Sequence, residues 1–195
     1  MTRLDALRND VEGCHACELY QDATQAVFSR GRASAPIMLV GEQPGDREDI
    51  EGEPFVGPAG RVLDEALEAA NIPSGDVYLT NAVKHFRFER RGARRIHKKP
   101  AISHLTACHP WLKAELDLVR PKVVVCLGAT AGRSVLGRPV RIAAERGRVI
   151  GDALEGSAVV VTTHPSALLR LRDHSAYDGE LARLAADLRV AADAA

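Results

Sequence analysis

Aromatic side chains make up only 4% of this 195-residue chain, and 26 basic residues balance 26 acidic ones. So few rings exclude a platform on which several bases of a single strand stack in succession. A neutral balance excludes a uniformly basic surface, so any contact with nucleic acid has to come from a local patch. No apolar run approaches the ~18 residues of a membrane-spanning helix, which argues against a membrane partner. The opening MTRLDALRND lacks the apolar centre of a signal peptide, so the expected location is cytoplasmic. No G-K-[ST] phosphate loop and no G-x-S-x-G nucleophile elbow occurs, which disfavours two large enzyme classes. Cysteine is sparse as well. Four thiols in an intracellular chain point to a metal or to core packing rather than to disulfides.

What is present reads as one α/β domain over residues 1–195, with 46% hydrophobic and 27% charged residues. Four apolar runs rich in β-branched residues predict buried strands: Pro36–Val40, Val77–Thr80, Lys122–Leu127 and Ala158–Thr163. Helical periodicity predicts helices over Arg61–Asn71, Ser103–Val119, Thr130–Leu136 and Tyr177–Ala192. Alternation of the two predicts a parallel sheet covered on both faces, a three-layer α/β/α fold with four central strands. Arg146–Ile150 reads as a small extra strand or turn. In such folds ligands bind beyond the carboxyl ends of the strands. Gln43, Asn81 and His164, each just past or at a strand end, are therefore expected to meet on one edge.

Against the neutral background, residues 87–99 hold five arginines and two lysines with one glutamate, a local charge of +6. This basic loop is suited to phosphates, and its single histidine, His97, is a candidate nucleophile or base. Cys14 and Cys17 form a C-x2-C pair, Cys108 lies on a predicted helix, and Cys126 sits mid-strand, where a free thiol reads as core. Three cysteines then remain for a site that takes four ligands, with His15, His85 and His109 as candidates for the fourth. On spacing alone zinc is the default metal. Gly41-Glu42-Gln43-Pro44-Gly45-Asp46 and Glu53–Gly60 place glycines where backbone N–H groups can approach a ligand, the second opening a helix that favours an anion. Phe55 in that loop offers a stacking surface, and His164 in Thr163-His164-Pro165-Ser166 a helix cap or an oxyanion donor.

Taken together, GEQPGD (41–46), PFVGPAG (54–60), TN (80–81) and HPS (164–166) resemble the uracil-DNA glycosylase superfamily, family 4 in particular, over nearly the whole chain. Gln43 and the loop ending Arg94-Arg95-Ile96-His97 are most similar to its UdgX branch. The resemblance implies a 4Fe–4S cluster held by Cys14, Cys17, Cys108 and His85, the last replacing the usual cysteine. It also implies uracil excision from DNA, single strands favoured, by a monomer that releases free uracil. Phe55 would stack on the base and Asn81 read its edge, with Gly41, Gly45 and Asp46 shaping the pocket. His164 would stabilise the departing uracil. His97 would attack C1′ and stay bonded to the sugar, Glu42 would accept its proton, and Gln43 would position His97 or the sugar. Arg94, Arg95, Lys98, Lys99 and Ser166 would hold DNA. A turnover glycosylase and a non-catalytic iron–sulfur module that binds nucleic acid are the competing readings.

Overall fold

The structure, a computed structural model, describes residues 2–154, 156–171 and 173–195. In chain order the strands are β1 (Ser29–Arg30), β2 (Ile37–Gly41), β3 (Val77–Asn81), β4 (Phe88–Arg91), β5 (Arg94–His97), β6 (Val123–Leu127), β7 (Val149–Leu154) and β8 (Ser157–Thr162). The helices are α1 (Arg3–Glu12), α2 (Asp46–Glu51), α3 (Pro58–Ala69), α4 (Ile102–Val119), α5 (Ala129–Leu136), α6 (Ile142–Glu145) and α7 (His174–Asp193). No helix among the described residues is long and apolar enough to cross a membrane.

The expected four parallel strands are β3-β2-β6-β8, but the sheet has six. Antiparallel β1 and β7 extend its two edges, in the order β1-β3-β2-β6-β8-β7. β1, two residues long, was invisible to periodicity. β7 follows the turn at Gly147, whose φ of 68° suits glycine. The central strands are buried on both sides, which explains their unbroken apolar runs. Met38, Val40, Val124 and Cys126 face Leu105 and Leu112 of α4 and Val135 of α5. Their neighbours Leu39, Val125 and Val160 face Leu63 and Leu67 of α3 and Leu184 and Leu188 of α7. The result is a three-layer α/β/α domain.

The basic segment is not a loop. β4 and β5 pair as a separate hairpin, Phe88 opposite His97 and Arg91 opposite Arg94. Gly92, at φ 59°, forms the two-residue turn, the conformation that tight hairpins require. From β2 the chain crosses to β3 on one side and later returns to β6 on the other. β2 and β6 therefore flank the topological switch point, where open sheets of this kind leave a crevice.

Candidate active site and thiol centre

Loops following β2, β3, β6 and β8 enclose a cleft of about 690 Å³ lined by Glu42, Phe55, Asn81, His97, Thr130 and His164 among others. Gln43, expected on the same edge as Asn81 and His164, also lines it. A shallower depression of about 360 Å³ between α1 and α4 carries none of these groups.

Phe55 and Asn81 form one wall. Gly41 ends β2 beside them, and a Cβ there would collide with both the Asn81 amide and the Phe55 ring. Phe55 adopts φ 61°, a conformation rarely taken by an aromatic residue, and its carbonyl presses on Gly60 of α3 where no side chain would fit. Its ring stands 6.3 Å from that of His164, at an interplanar angle of 28°. Asn81 is buried, and its carbonyl accepts from Lys84 Nζ at 2.9 Å. Lys84 is itself fully buried and paired at 2.5 Å with Glu115, which also accepts from Thr80 and Tyr78 hydroxyls. A buried ion pair whose lone pairs are filled in this way holds a fixed geometry. Nothing in one sequence brings Lys84 and Glu115 together, so this support behind Asn81 was missed.

His164 shows which of its nitrogens faces the cleft. The Ser166 N–H donates to Nδ1 at 3.2 Å, and the Ser166 hydroxyl lies 2.8 Å from the same atom. Nδ1 is therefore an acceptor, and the proton of a neutral ring sits on Nε2. Burial pushes the His164 pKa down to about 4, and His97 and Arg170 act in the same direction. A neutral Nε2–H donor follows at physiological pH. Ser166, expected to touch DNA, instead orients His164.

His97 closes β5 at the mouth of the cleft, half-exposed, with Nε2 3.5 Å from Glu42 Oε1. Burial lowers its pKa below the ordinary 6.5, opposed by Glu42 and reinforced by Arg170, so the imidazole is neutral near pH 7. Thr130, on the first turn of α5, donates to Glu42 Oε2. Gln43 does not reach the His97 ring. Its amide donates to the carbonyls of Arg87 and Lys98, each at 3.1 Å, and accepts from the Arg87 N–H at 3.2 Å. It clamps the stem of the hairpin on both strands.

Several expected ligand-binding groups are already engaged. Arg95, 14% exposed, pairs with Asp46 at 2.6 Å and Asp49 at 2.5 Å, and lies over the rings of Phe86 and Phe88. It anchors the hairpin to α2 and is not free for phosphate, while Asp46, half-exposed, lines the cleft with only Oδ1 of its carboxylate engaged by Arg95. Lys98 pairs with Glu89 across the hairpin at 2.5 Å. Arg94 is exposed and Lys99 lines the cleft. Gly45 and Gly57 do not present their N–H groups to a ligand. Glu48 accepts both, at 3.1 and 2.9 Å, so the anion at the start of α3 is the protein's own carboxylate. Arg170, which lines the cleft and acts on both histidines, went unnoticed because it follows the HPS motif without a pattern of its own.

Three of the four thiols lie near one another, away from Cys126 in β6. Cys14 and Cys108 are buried, and Cys17 is partly so. Trp111 Nε1 donates to Cys14 Sγ at 3.1 Å, and the Lys84 N–H donates to Cys108, a polarity suited to thiolates. His85 is buried, and its Nδ1 has no hydrogen-bond partner among the described residues, an uncommon state for an interior polar atom. His109, the competing fourth ligand, is exposed, as is His15. Among the described residues no three Cys, His, Asp or Glu side chains converge on a point where one metal ion fits. Three thiols and an orphaned imidazole are donors of the kind that iron–sulfur clusters take. Cys126 is a core residue of β6, its thiol pushed up to about 12 by burial.

The chain matches the family model described as the uracil DNA glycosylase superfamily over residues 28–189. It is 38% identical over 172 residues to a type-4 uracil-DNA glycosylase of Thermotoga maritima, covering 88% of this chain and 85% of that protein. A type-4 uracil-DNA glycosylase of Archaeoglobus fulgidus is 33% identical over 175 residues, covering 87% and 84%. A type-5 uracil-DNA glycosylase of Pyrobaculum aerophilum is 36% identical over 186 residues, covering 85% and 76%.

Proposed function

The chain belongs to the uracil DNA glycosylase superfamily, and we propose that its cleft excises uracil from DNA and captures the resulting sugar on His97, as a member of the UdgX branch. The observation that carries the capture is the position of His97: an imidazole at the mouth of the cleft, Nε2 3.5 Å from the Glu42 carboxylate. An uracil turned out of the strand would lie against Phe55, with its edge on the Asn81 amide. A single strand avoids most of the cost of unpairing, which favours it over duplex.

As the bond from C1′ to uracil N1 lengthens, its electron pair passes to the base. His164 Nε2–H donates to the uracil oxygen where that charge gathers, a contribution of about 2.7–4 kcal/mol for one such donor. The sugar is left with positive character at C1′. Glu42 takes any proton carried on His97 Nε2, and the freed lone pair forms the C1′–Nε2 bond. An oriented imidazole reaches an effective molarity of roughly 10⁵–10⁸ M, well above that of water. The neutral ring has a single N–H proton: it leaves Nε2 to Glu42 before the bond forms or, where it sits on Nδ1, passes to solvent afterwards, and uracil gains one, so both products are neutral. Arg94 and Lys99, both unengaged by carboxylates among the described residues, would meet flanking phosphates.

We further propose that Cys14, Cys17, Cys108 and His85 hold a 4Fe–4S cluster. When bound it supplies a structural cross-link, since excision moves no electrons.

The test is a denaturing gel after incubation with a uracil-containing single-stranded oligonucleotide, a thymine oligonucleotide serving as control. A uracil-dependent band that survives heat and detergent, lost in His97→Ser with free alkali-labile DNA in its place, is expected. Free abasic DNA from the unaltered protein would leave a turnover glycosylase, and binding without uracil release would leave a module with no chemistry.

A further inference from the structure

We propose that Thr130 is a positioning residue for the capture step, holding Glu42 so that one oxygen faces His97; this rests on the reading of His97 as the nucleophile. Glu42 follows β2 and Thr130 follows β6, so their hydrogen bond spans the switch point of the sheet, the crevice in which the cleft lies. The direction of that bond is fixed by chemistry, because a carboxylate only accepts and the hydroxyl must donate. Oε2 is occupied by Thr130, and Oε1 is left 3.5 Å from His97 Nε2. Without the hydroxyl a glutamate side chain on a strand-end loop has other rotamers open to it, most of which turn the carboxylate away from the imidazole.

Thr130 is itself held. It is buried on the first turn of α5, whose N-cap Gly128 adopts φ 94° and donates its N–H to the Thr162 carbonyl at 2.8 Å. A Cβ on Gly128 would stand 3.2 Å from the His164 Cβ, so the turn carrying Thr130 runs directly beneath the second histidine. The same short segment thus places the hydroxyl that aims Glu42 and makes room for the donor to uracil.

Thr130→Val removes the hydroxyl at nearly constant shape, and Thr130→Ser keeps it. The experiment reads uracil release and covalent adduct separately in single-turnover reactions on a uracil-containing single strand. Thr130→Val is expected to lower the ratio of adduct to free abasic product by about tenfold or more, the factor that a hydrogen bond to a charged group is worth. Thr130→Ser is expected to keep the unaltered ratio. Equal ratios in both variants, or equal losses in both, overturn the proposal, since packing and not the hydroxyl would then decide. If the unaltered protein forms no adduct at all, the reading of His97 fails by itself. The capture role of Thr130 then falls with it, whereas an adduct that Thr130→Val forms in the unaltered ratio overturns the Thr130 proposal alone.

Discussion

His164 makes a prediction in which the stability of the fold reports on the state of the site. Unfolded, a histidine takes up its proton near pH 6.5, whereas in the fold burial holds His164 at about 4. The unfolded chain therefore binds more protons between these two values. The neutral, buried ring contributes stability that is fully present above pH 6.5 and is lost as pH falls toward 4. Going from pH 7.5 to pH 5 this one group removes about 2 kcal/mol of stability. Other groups titrate over the same span, so the comparison is with His164→Gln, whose amide can still accept from the Ser166 N–H and donate into the cleft. Urea unfolding followed at several pH values gives the difference. The unaltered protein should lose about 2 kcal/mol more than His164→Gln over that span. Parallel curves would mean that His164 titrates alike in both states, and the lowered pKa assigned to it would be wrong. At pH 7.5 the variant should still lose rate, by a factor of up to about 10²–10³ if its amide misses the uracil oxygen.

Two further predictions separate anchoring from DNA contact and test the thiol centre. Arg94→Ala should lower the salt slope of DNA binding by about one, while Arg95→Ala should leave the slope alone and reduce capture, because Arg95 is spent on Asp46 and Asp49. A drop in slope for Arg95→Ala would return that residue to the phosphates. Protein purified anaerobically should contain iron and acid-labile sulfide, and His85→Ala should lose iron while His109→Ala keeps it. The reverse order would make the exposed His109 the ligand, and zinc in place of iron would remove the cluster.

Much of the architecture was legible because its determinants are local. The central strands are continuous apolar runs, and α3 and α5 follow glycines that end loops, so both type and approximate bounds could be read. The hairpin was not, since its residues carry so much charge that no apolar alternation survives. Only Gly92 marked the turn, and the pairing Phe88–His97 emerges from partners nine residues apart. The site divides in the same way. Glu42, Asn81 and His164 were visible as motif residues at strand ends and Phe55 as a motif residue in the loop before α3, and the fold carries them to one cleft. Their supports were not visible, because Thr130 reaches Glu42 across 88 positions and Glu115 reaches Lys84 across 31. Charge counting also misassigned Arg95 and the glycine N–H groups. A sequence shows a cation or a donor but not the carboxylate that already occupies it.

The hairpin also gives a physical reason for the proposed cluster. His85 precedes its outgoing strand and Cys108 follows its return on α4, so one centre binding both would tie the two stems together. Side chains already tie the return stem to the N-terminal segment that carries Cys14 and Cys17. His104 accepts the Ala101 N–H at 3.0 Å through Nδ1, which leaves Nε2–H to donate to Glu18, 2.7 Å away and next to Cys17. Gln43 closes the stem from the opposite side through Arg87 and Lys98. A nucleophile on a two-stranded ribbon needs such restraint, because an isolated hairpin is at best marginally stable in water. Effective molarity falls once the ring samples positions away from C1′. The clamps at the stem, the anchor at Arg95 and the thiol centre thus act on one quantity, the fraction of time that His97 Nε2 spends facing Glu42.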